Sequence, residues 1–180
     1  MKIVLASPLY PPDIAEPAPY VKELAKRLSS GHSVTIVTYG HLPEKVANVS
    51  IIVVSKREML AIRLIAYTMA LWRAAKNADV VYAQNGPSVE LPIAIVWFFL
   101  RRPLVMHVGD KAAHHYAARR PLRYLIEQLA IKSAQNVITE SPLSRPEILP
   151  LEEPPTAQLS AYESSWGAHV RALLSTFGHA

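Results

Sequence analysis

Two residues capable of acid–base chemistry lie at the end of a short apolar run in the middle of this chain. His107 lies near the end of the run 103–108, and Asp110 comes two residues after it. A histidine titrates near neutral pH and can serve as a general base, and a carboxylate can hold a substrate hydroxyl. We predict catalytic roles for both residues. The alternative for His107 is a core histidine with satisfied hydrogen bonds, and for Asp110 a cap of the segment that follows.

Further polar and glycine residues follow other apolar runs, and they are candidates for ligand binding. Asn85 and Gly86 follow the run 79–83, although an Asn-Gly pair also forms turns readily. Gly109 and Ser141 follow two later runs. We predict that these residues contact substrate. The proline-rich stretch after the first run adds three more candidates, whose alternatives are a loop anchor, an exposed carboxylate and a packing residue: Asp13, Glu16 and Tyr20.

Apolar runs alternate with helical periodicities along the first 140 residues. The runs predict buried strands, and apolar residues at helical spacing between them predict helices. This alternation is typical of a parallel sheet whose right-handed crossovers cover both faces with helices. We therefore predict a three-layer α/β fold with a doubly wound parallel sheet, and ligands at the carboxyl ends of its strands. The predicted strands are 2–7, 34–38, 49–54, 79–83, 103–108 and 136–139, the predicted helices fall within 21–28, 59–72, 88–100 and 122–131, and Ser55 with Glu58 predicts a capping box.

A proline-rich segment ends this alternation. Residues 142–155 include five prolines, which can neither donate to a sheet nor continue a helix. Beyond them, apolar residues recur at helical spacing from Tyr162 to Phe177. We predict a lobe at 1–141, a linker at 142–160, and a helix at 161–180 docked on the lobe.

Composition narrows the cofactors and partners. The chain has no cysteine, which excludes disulfides and thiolate zinc sites. His114 and His115 lack a third ligand at zinc spacing, and the first loop lacks the GxGxxG pattern, so we predict neither a metal nor a dinucleotide cofactor. The net charge of +5 favours anionic partners. Nucleic acid is not expected, because the basic residues are not interleaved with aromatic side chains that could stack on bases.

We expect a cytoplasmic protein, because the absence of cysteine fits a reducing cytoplasm and no apolar segment predicts a membrane-spanning helix. The runs 60–72 and 91–100 are interrupted by Arg63 or too short to cross a bilayer, and the N-terminus lacks the pattern of a signal peptide. The aromatic residues 97–99 precede two arginines at 101–102. We expect these aromatic residues to pack a helix, and contact with the inner membrane face is the alternative.

Several segments resemble family 4 glycosyltransferases, and together they span about the first 140 residues. They are 7–40 (SPLYPPDIAEPAPYVKELAKRLSSGHSVTIVTYG), 79–94 (DVVYAQNGPSVELPIA), 102–110 (RPLVMHVGD) and 134–141 (AQNVITES). A shorter segment at 164–174 (SSWGAHVRALL) resembles the final helix of these enzymes, which packs back on the first lobe. The resemblance implies the GT-B architecture, of which this chain would supply the Rossmann-like N-terminal lobe.

The resemblance also implies an activity. Such enzymes transfer a sugar from a nucleotide-sugar donor to a sugar or lipid-linked acceptor, with retention at the anomeric carbon, and the N-terminal lobe holds the acceptor. Ala15 and Glu16 stand where the family usually has two glycines close to the donor phosphates, so the resemblance adds Ala15 to the predicted binding residues. Glu16 would repel a phosphate there. His107 stands one position before the histidine that the family usually has.

The resemblance does not extend to the family's second lobe, whose paired glutamates engage the donor. We therefore expect the chain to be inactive without a donor-binding lobe, which a separate chain could supply. The alternative is a non-catalytic binding or scaffold domain of the same fold, in which Glu16 has abolished phosphate contact. A flavodoxin-like receiver or cofactor carrier would share the sheet, but it needs an acidic cluster or a phosphate loop that this sequence lacks.

Overall fold

The computed structural model describes residues 1–15, 17–109, 119–139 and 156–178. Glu16, Asp110, Ser141 and the proline-rich segment 142–155 lie outside the described residues. The strands are β1 (Lys2–Ser7), β2 (Ser33–Gly40), β3 (Val49–Ser55), β4 (Val80–Gln84), β5 (Leu104–His107) and β6 (Asn136–Ile138). The helices are α1 (Ala18–Leu28), α2 (Leu60–Ala75), α3 (Pro87–Leu100), α4 (Pro121–Ser133) and α5 (Thr156–Gly178).

The described strands form one six-stranded parallel sheet in the order β3-β2-β1-β4-β5-β6. Ile3 of β1 pairs with Val34 on one side and with Val80 on the other, so β1 and β4 are the central strands. Their residues are almost all buried, as their continuous apolar sequences require. The prediction of a doubly wound α/β fold is confirmed.

Each face of the sheet has its own apolar core. Helices α1 and α5 cover one face, where Leu24 and Trp166 pack against Tyr82 of β4 and its neighbours. Helices α2 and α3 cover the other face, where Leu71 and Ile93 pack against β1, β2 and β4. Helix α4 packs beside α3. The chain therefore enters α1 and α3 from neighbouring strands but on opposite faces of the sheet.

The predicted capping box at the start of α2 is wrong. Ser55 is the last residue of β3, and its hydroxyl accepts a hydrogen bond from the Arg57 amide at 3.1 Å. The helix begins only at Leu60, after Met59, and no side chain caps it. Ser55 thus stabilises the turn that leaves the strand, which competes with a cap for the same hydroxyl.

Helix α5 is docked by its aromatic residues. Trp166, Leu173 and Phe177 are buried in the core of the α1 face, and the Trp166 ring stacks on Tyr20 with 5.5 Å between centroids. The Arg27 guanidinium lies 5.2 Å above the Trp166 ring. The helix begins at Thr156, so residues 156–160, predicted as linker, are helical.

We expect Trp166→Ala to destabilise the domain by about 3–5 kcal/mol, because it removes a fully buried indole from between α1 and the sheet. The matched control is Glu163→Gln on the same helix, which breaks only the ion pair with Arg27. The Glu163 side chain in this pair is 54% exposed. That change should cost less than about 1 kcal/mol. Urea unfolding followed by tryptophan fluorescence measures both, and equal effects would show that α5 does not belong to the core.

Candidate functional site

The carboxyl ends of β1 and β4 form the switch point of the sheet. The loop after β1 leads to α1 on one face, and the loop after β4 leads to α3 on the other, so the two loops diverge. Ligands of open parallel sheets bind in such crevices. The two loops also touch, because a Cβ atom on Gly86 would lie 2.9 Å from Cγ of Pro8. A glycine is therefore required at this closest approach.

His107 ends β5 beside this crevice and is enclosed. Its side chain is only 2% exposed, and its Nδ1 donates to Oε1 of Gln84 at 2.9 Å. The imidazole lies between two phenol rings, 4.9 Å from Tyr20 and 6.0 Å from Tyr82. A Cβ atom on Gly109 would come within 2.8 Å of its Cε1, so Gly109 leaves the space that the ring occupies. His107 is thus a hydrogen-bonded, buried histidine here, and its catalytic role stays a prediction.

Tyr20 belongs to a buried chain of hydrogen bonds. Its hydroxyl lies 2.6 Å from the Tyr82 hydroxyl and 2.7 Å from Nε2 of His169 on α5. Burial raises the pKa of both tyrosines well above the usual range, so both hydroxyls stay protonated. Burial also lowers the pKa of His169, which favours the neutral imidazole as the acceptor for Tyr20. Tyr20 therefore faces the core and not the crevice.

The other predicted binding residues that the structure describes occupy different places. Asp13 lies in the loop after β1, and its carboxylate pairs with the Lys56 ammonium at 2.6 Å. Ala15 is exposed in the same loop. Asn85 is buried, and its backbone N–H donates to the His107 backbone carbonyl at 2.9 Å, which ties the end of β4 to β5. The structure thus brings Asn85, Gly86, His107 and Gly109 together and places Asp13 apart.

Sequence reasoning missed a group of residues that line a cavity of about 280 Å³ together with the predicted Asp13. This cavity lies at the carboxyl ends of β1, β2 and β3, beside the predicted loops. The sequence held a signal for it, because Lys56 and Arg57 follow the third strand just as Asn85 follows the fourth. His169 was also missed, since nothing local shows that a helix distant in sequence contacts Tyr20. The lining residues are Tyr10, Pro11, Pro12, Asp13, Thr38, Tyr39, Gly40, His41, Pro43, Val53, Ser55, Lys56 and Arg57.

Metal ligands and membrane-spanning helices were sought in the described part of the chain. No group of three or more histidine, aspartate and glutamate side chains there could hold a metal ion. Within the same residues, no helix is long and apolar enough to cross a bilayer.

The sheet and its carboxyl-edge crevice define a Rossmann-like α/β domain. Residues 16–159 match the family model of the glycosyl transferase 4-like domain. This chain therefore belongs to that family. No curated protein matches it.

Solved structures of GT-B glycosyltransferases and epimerases share the fold. HepE from Anabaena, in complex with UDP, is 20% identical with a TM-score of 0.54, and the match covers 76% of this chain and 37% of HepE. The UDP-GlcNAc 2-epimerase of Methanocaldococcus jannaschii is 13% identical with a TM-score of 0.52, covering 78% of this chain and 40% of the epimerase. At these identities the likeness shows the fold alone. The match spans less than half the length of either structure.

The half-buried His169 of α5 predicts a pH dependence of stability. Because burial lowers the pKa of His169, the folded chain binds fewer protons than the unfolded chain below about pH 7. Stability should therefore fall as the pH drops through the usual histidine pKa toward the lowered one. We expect His169→Gln, whose amide can still accept from Tyr20, to lose less stability than the wild type between pH 7.5 and 5.5. Urea unfolding at both pH values measures this, and parallel losses in the two proteins would contradict it.

Proposed function

We propose that this domain is the acceptor-binding lobe of a retaining glycosyltransferase that uses a nucleotide-sugar donor. The observation that carries the proposal is the family match over residues 16–159, on a sheet whose carboxyl edge presents diverging loops. Retention is part of the proposal through the family resemblance. HepE, which has the same fold in this region, was solved with UDP and also with UDP and glucose, and this supports the donor class.

The small enclosed volume at the carboxyl edge of the sheet argues for a second lobe. The cavity at the ends of β1, β2 and β3, about 280 Å³, is no larger than the smallest pockets that enclose drug-sized ligands, about 300 Å³. A nucleotide sugar is at least that large, and its transfer requires a site that excludes water. The described residues form one side of such a site. In our proposal a donor-binding lobe, on this or another chain, forms the other side.

Residue roles follow from this placement. The acceptor lies over the loops after β4 and β5, where Asn85 and Gly109 shape the crevice, and Asp110 and Ser141 contact its hydroxyls. His107 is the proposed base, because the Nδ1 hydrogen bond to Gln84 fixes the tautomer whose Nε2 can accept a proton. Since the ring is buried, acceptor binding or lobe closure must first open its contact with Gly109.

We expect the chain alone neither to hydrolyse nor to transfer from nucleotide sugars, and to support transfer when a donor-binding lobe of a family member is added. The physical reason is that a single lobe cannot enclose the donor. Product release from a panel of UDP- and GDP-sugars, read by NMR, measures the rate and the anomeric configuration. Turnover by the chain alone would overturn the requirement for a second lobe, and an inverted product would overturn retention.

A second candidate function is a non-catalytic binding domain, favoured by Glu16 at a position where the family usually has glycine. The variant Glu16→Gly separates the two candidates in the same assay. If only the variant supports transfer with the added lobe, then the wild-type carboxylate has abolished donor contact and the domain is non-catalytic. If both proteins support transfer, the enzymatic proposal stands.

We also propose that the outer face of α2 and α3 contacts an anionic membrane. Phe98 and Phe99 are 60% and 64% exposed, and the Phe99 ring lies 5.7 Å from that of Trp72 on α2. Arg101 lies 4.7 Å above the Trp97 ring at the end of this surface. Aromatic side chains flanked by arginines suit a charged interface. The cytoplasmic leaflet carries the negative potential that attracts such residues, so the proposed location is the inner membrane face.

The double variant Phe98→Ser and Phe99→Ser should lower binding to vesicles containing phosphatidylserine by about ten-fold or more, because each phenyl ring buried in lipid contributes about 1.5–3 kcal/mol. The matched control is Ile14→Ser, which removes an exposed apolar side chain in the loop after β1. Co-sedimentation measures binding. The proposal is overturned if the double variant binds like the control, or if it changes only the oligomeric state in size-exclusion chromatography, which would assign this face to a second copy.

A further inference from the structure

The cavity at the carboxyl ends of β1, β2 and β3 has features that the proposed roles above do not use. It lies between the loop containing Tyr10 and Asp13, the end of β2 at Tyr39, and the residues Lys56 and Arg57 after β3. Its volume of about 280 Å³ suits a small molecule on the scale of one sugar ring and not an extended one. Any such ligand would reach it from the same edge of the sheet as the crevice at β4 and β5.

Tyr10 lines this cavity, and its side chain ends in a buried hydroxyl. Tyr10 is only 2% exposed, and its hydroxyl has no hydrogen-bond partner among the described residues. Burial and then the charge of Glu44 raise the pKa of Tyr10 to about 12, so the hydroxyl is a proton donor at neutral pH. Leaving a buried hydroxyl without a partner costs free energy, which a ligand that accepts its hydrogen bond would recover.

The cavity is also cationic. Lys56 and Arg57 line it, and Asp13 is the carboxylate that faces them. Arg63 contacts two of the lining residues. Its guanidinium lies 5.5 Å from the Tyr39 ring, and its Nη1 donates to the Lys56 carbonyl at 3.4 Å. Glu44, a second carboxylate near Tyr10, is paired with Lys22. Among these described side chains, positive charge therefore exceeds negative charge, which favours an anion.

The pair of Asp13 and Lys56 joins two sides of the cavity mouth. Its side chains are 35% and 39% exposed, so the pair contributes little to stability and can be exchanged. An anionic ligand can take the place of the Asp13 carboxylate on Lys56 without leaving a buried charge unpaired. Arg57 supplies a second cation, and the Tyr10 hydroxyl supplies a neutral donor.

We propose that this cavity binds the phosphate or carboxylate of a small polar molecule, through Lys56, Arg57 and the Tyr10 hydroxyl. The identification of this molecule with the acceptor, or with its anionic part, rests on the proposed function. The binding itself does not, and it is tested without a donor or a second lobe.

The test is calorimetric titration of the chain with glucose 6-phosphate, glucuronate and glucose at one fixed ionic strength. These probes share a sugar ring and differ in their charged group. We expect at least one of the two anions to bind about ten-fold or more tightly than glucose, and the tighter anion identifies the group. Equal binding of the three probes, or no binding of either anion, overturns the proposal. Neither result bears on glycosyl transfer, so failure here is distinguishable from failure of the proposed function.

Two charge-changing variants should shift the anion affinity in opposite directions. Lys56→Gln should weaken anion binding about ten-fold, because it removes a charge-assisted hydrogen bond. Asp13→Asn should tighten binding several-fold, because it removes the competing carboxylate. The controls are Lys132→Gln at the end of α4 and Asp79→Asn at the amino edge of the sheet, which change the net charge equally, far from the cavity. They should have little effect, since salt screens distant charges.

Tyr10→Phe tests the buried hydroxyl by itself. We expect it to weaken anion binding about five-fold, the loss of one hydrogen bond, and to leave glucose binding unchanged. If this core variant fails to fold, the anion affinities of the variants at the partly exposed positions 13 and 56 still test the proposal. Unchanged anion affinity in Lys56→Gln and in Asp13→Asn contradicts the proposal whatever Tyr10→Phe does.

Discussion

The fold depends on covering both faces of a parallel sheet whose central strands are apolar throughout. On one face α1 covers only part of the surface, and the Trp166, Leu173 and Phe177 side chains of α5 cover β4 and β5. This brings polar atoms into the core as well. The hydroxyls of Tyr20 and Tyr82 are buried there, and they are satisfied by each other and by His169. Since a buried hydroxyl without a partner is costly, the position of α5 is fixed by hydrogen bonding as well as by apolar contact.

The same sheet determines where ligands can bind. Parallel strands present all their carboxyl ends at one edge, and the reversal of connection between β1 and β4 opens a crevice there. His107 connects the two features, because it ends β5 at this edge while its ring packs against the Tyr20 ring of the α1 face. The docked helix and the edge are therefore joined by two aromatic contacts of Tyr20, with Trp166 of α5 and with His107, the proposed base.

The sequence predicted the sheet well, and the roles predicted for the site residues stay predictions. Continuous β-branched runs placed all six described strands to within about two residues, because burial on both faces allows few other interpretations. Side-chain positions were harder to predict. Tyr20 begins a helix after a loop, which favoured a binding role, but a contact with His169, 149 residues away, holds it in the core. The cavity at the ends of β2 and β3 was missed because Lys56 and Arg57 have the sequence pattern of a solvated turn. Only the structure shows that the loop after β1 contacts them.

The arrangement of charge at that edge explains how several cationic side chains lie close together there. Lys56 lies in the loop after β3 and Arg63 in α2, and without a carboxylate their repulsion would be unrelieved. Asp13 relieves this repulsion. The partly exposed ion pair that it forms with Lys56 contributes at most about 1 kcal/mol to stability, so the pair is easily broken. A hydrogen bond to a charged group can contribute about 1.5–3 kcal/mol, so an anion that engages several donors displaces Asp13 favourably. The buried Tyr10 hydroxyl is then the group that distinguishes a bound ligand from bulk counterions, because a mobile ion outside the cavity cannot reach it.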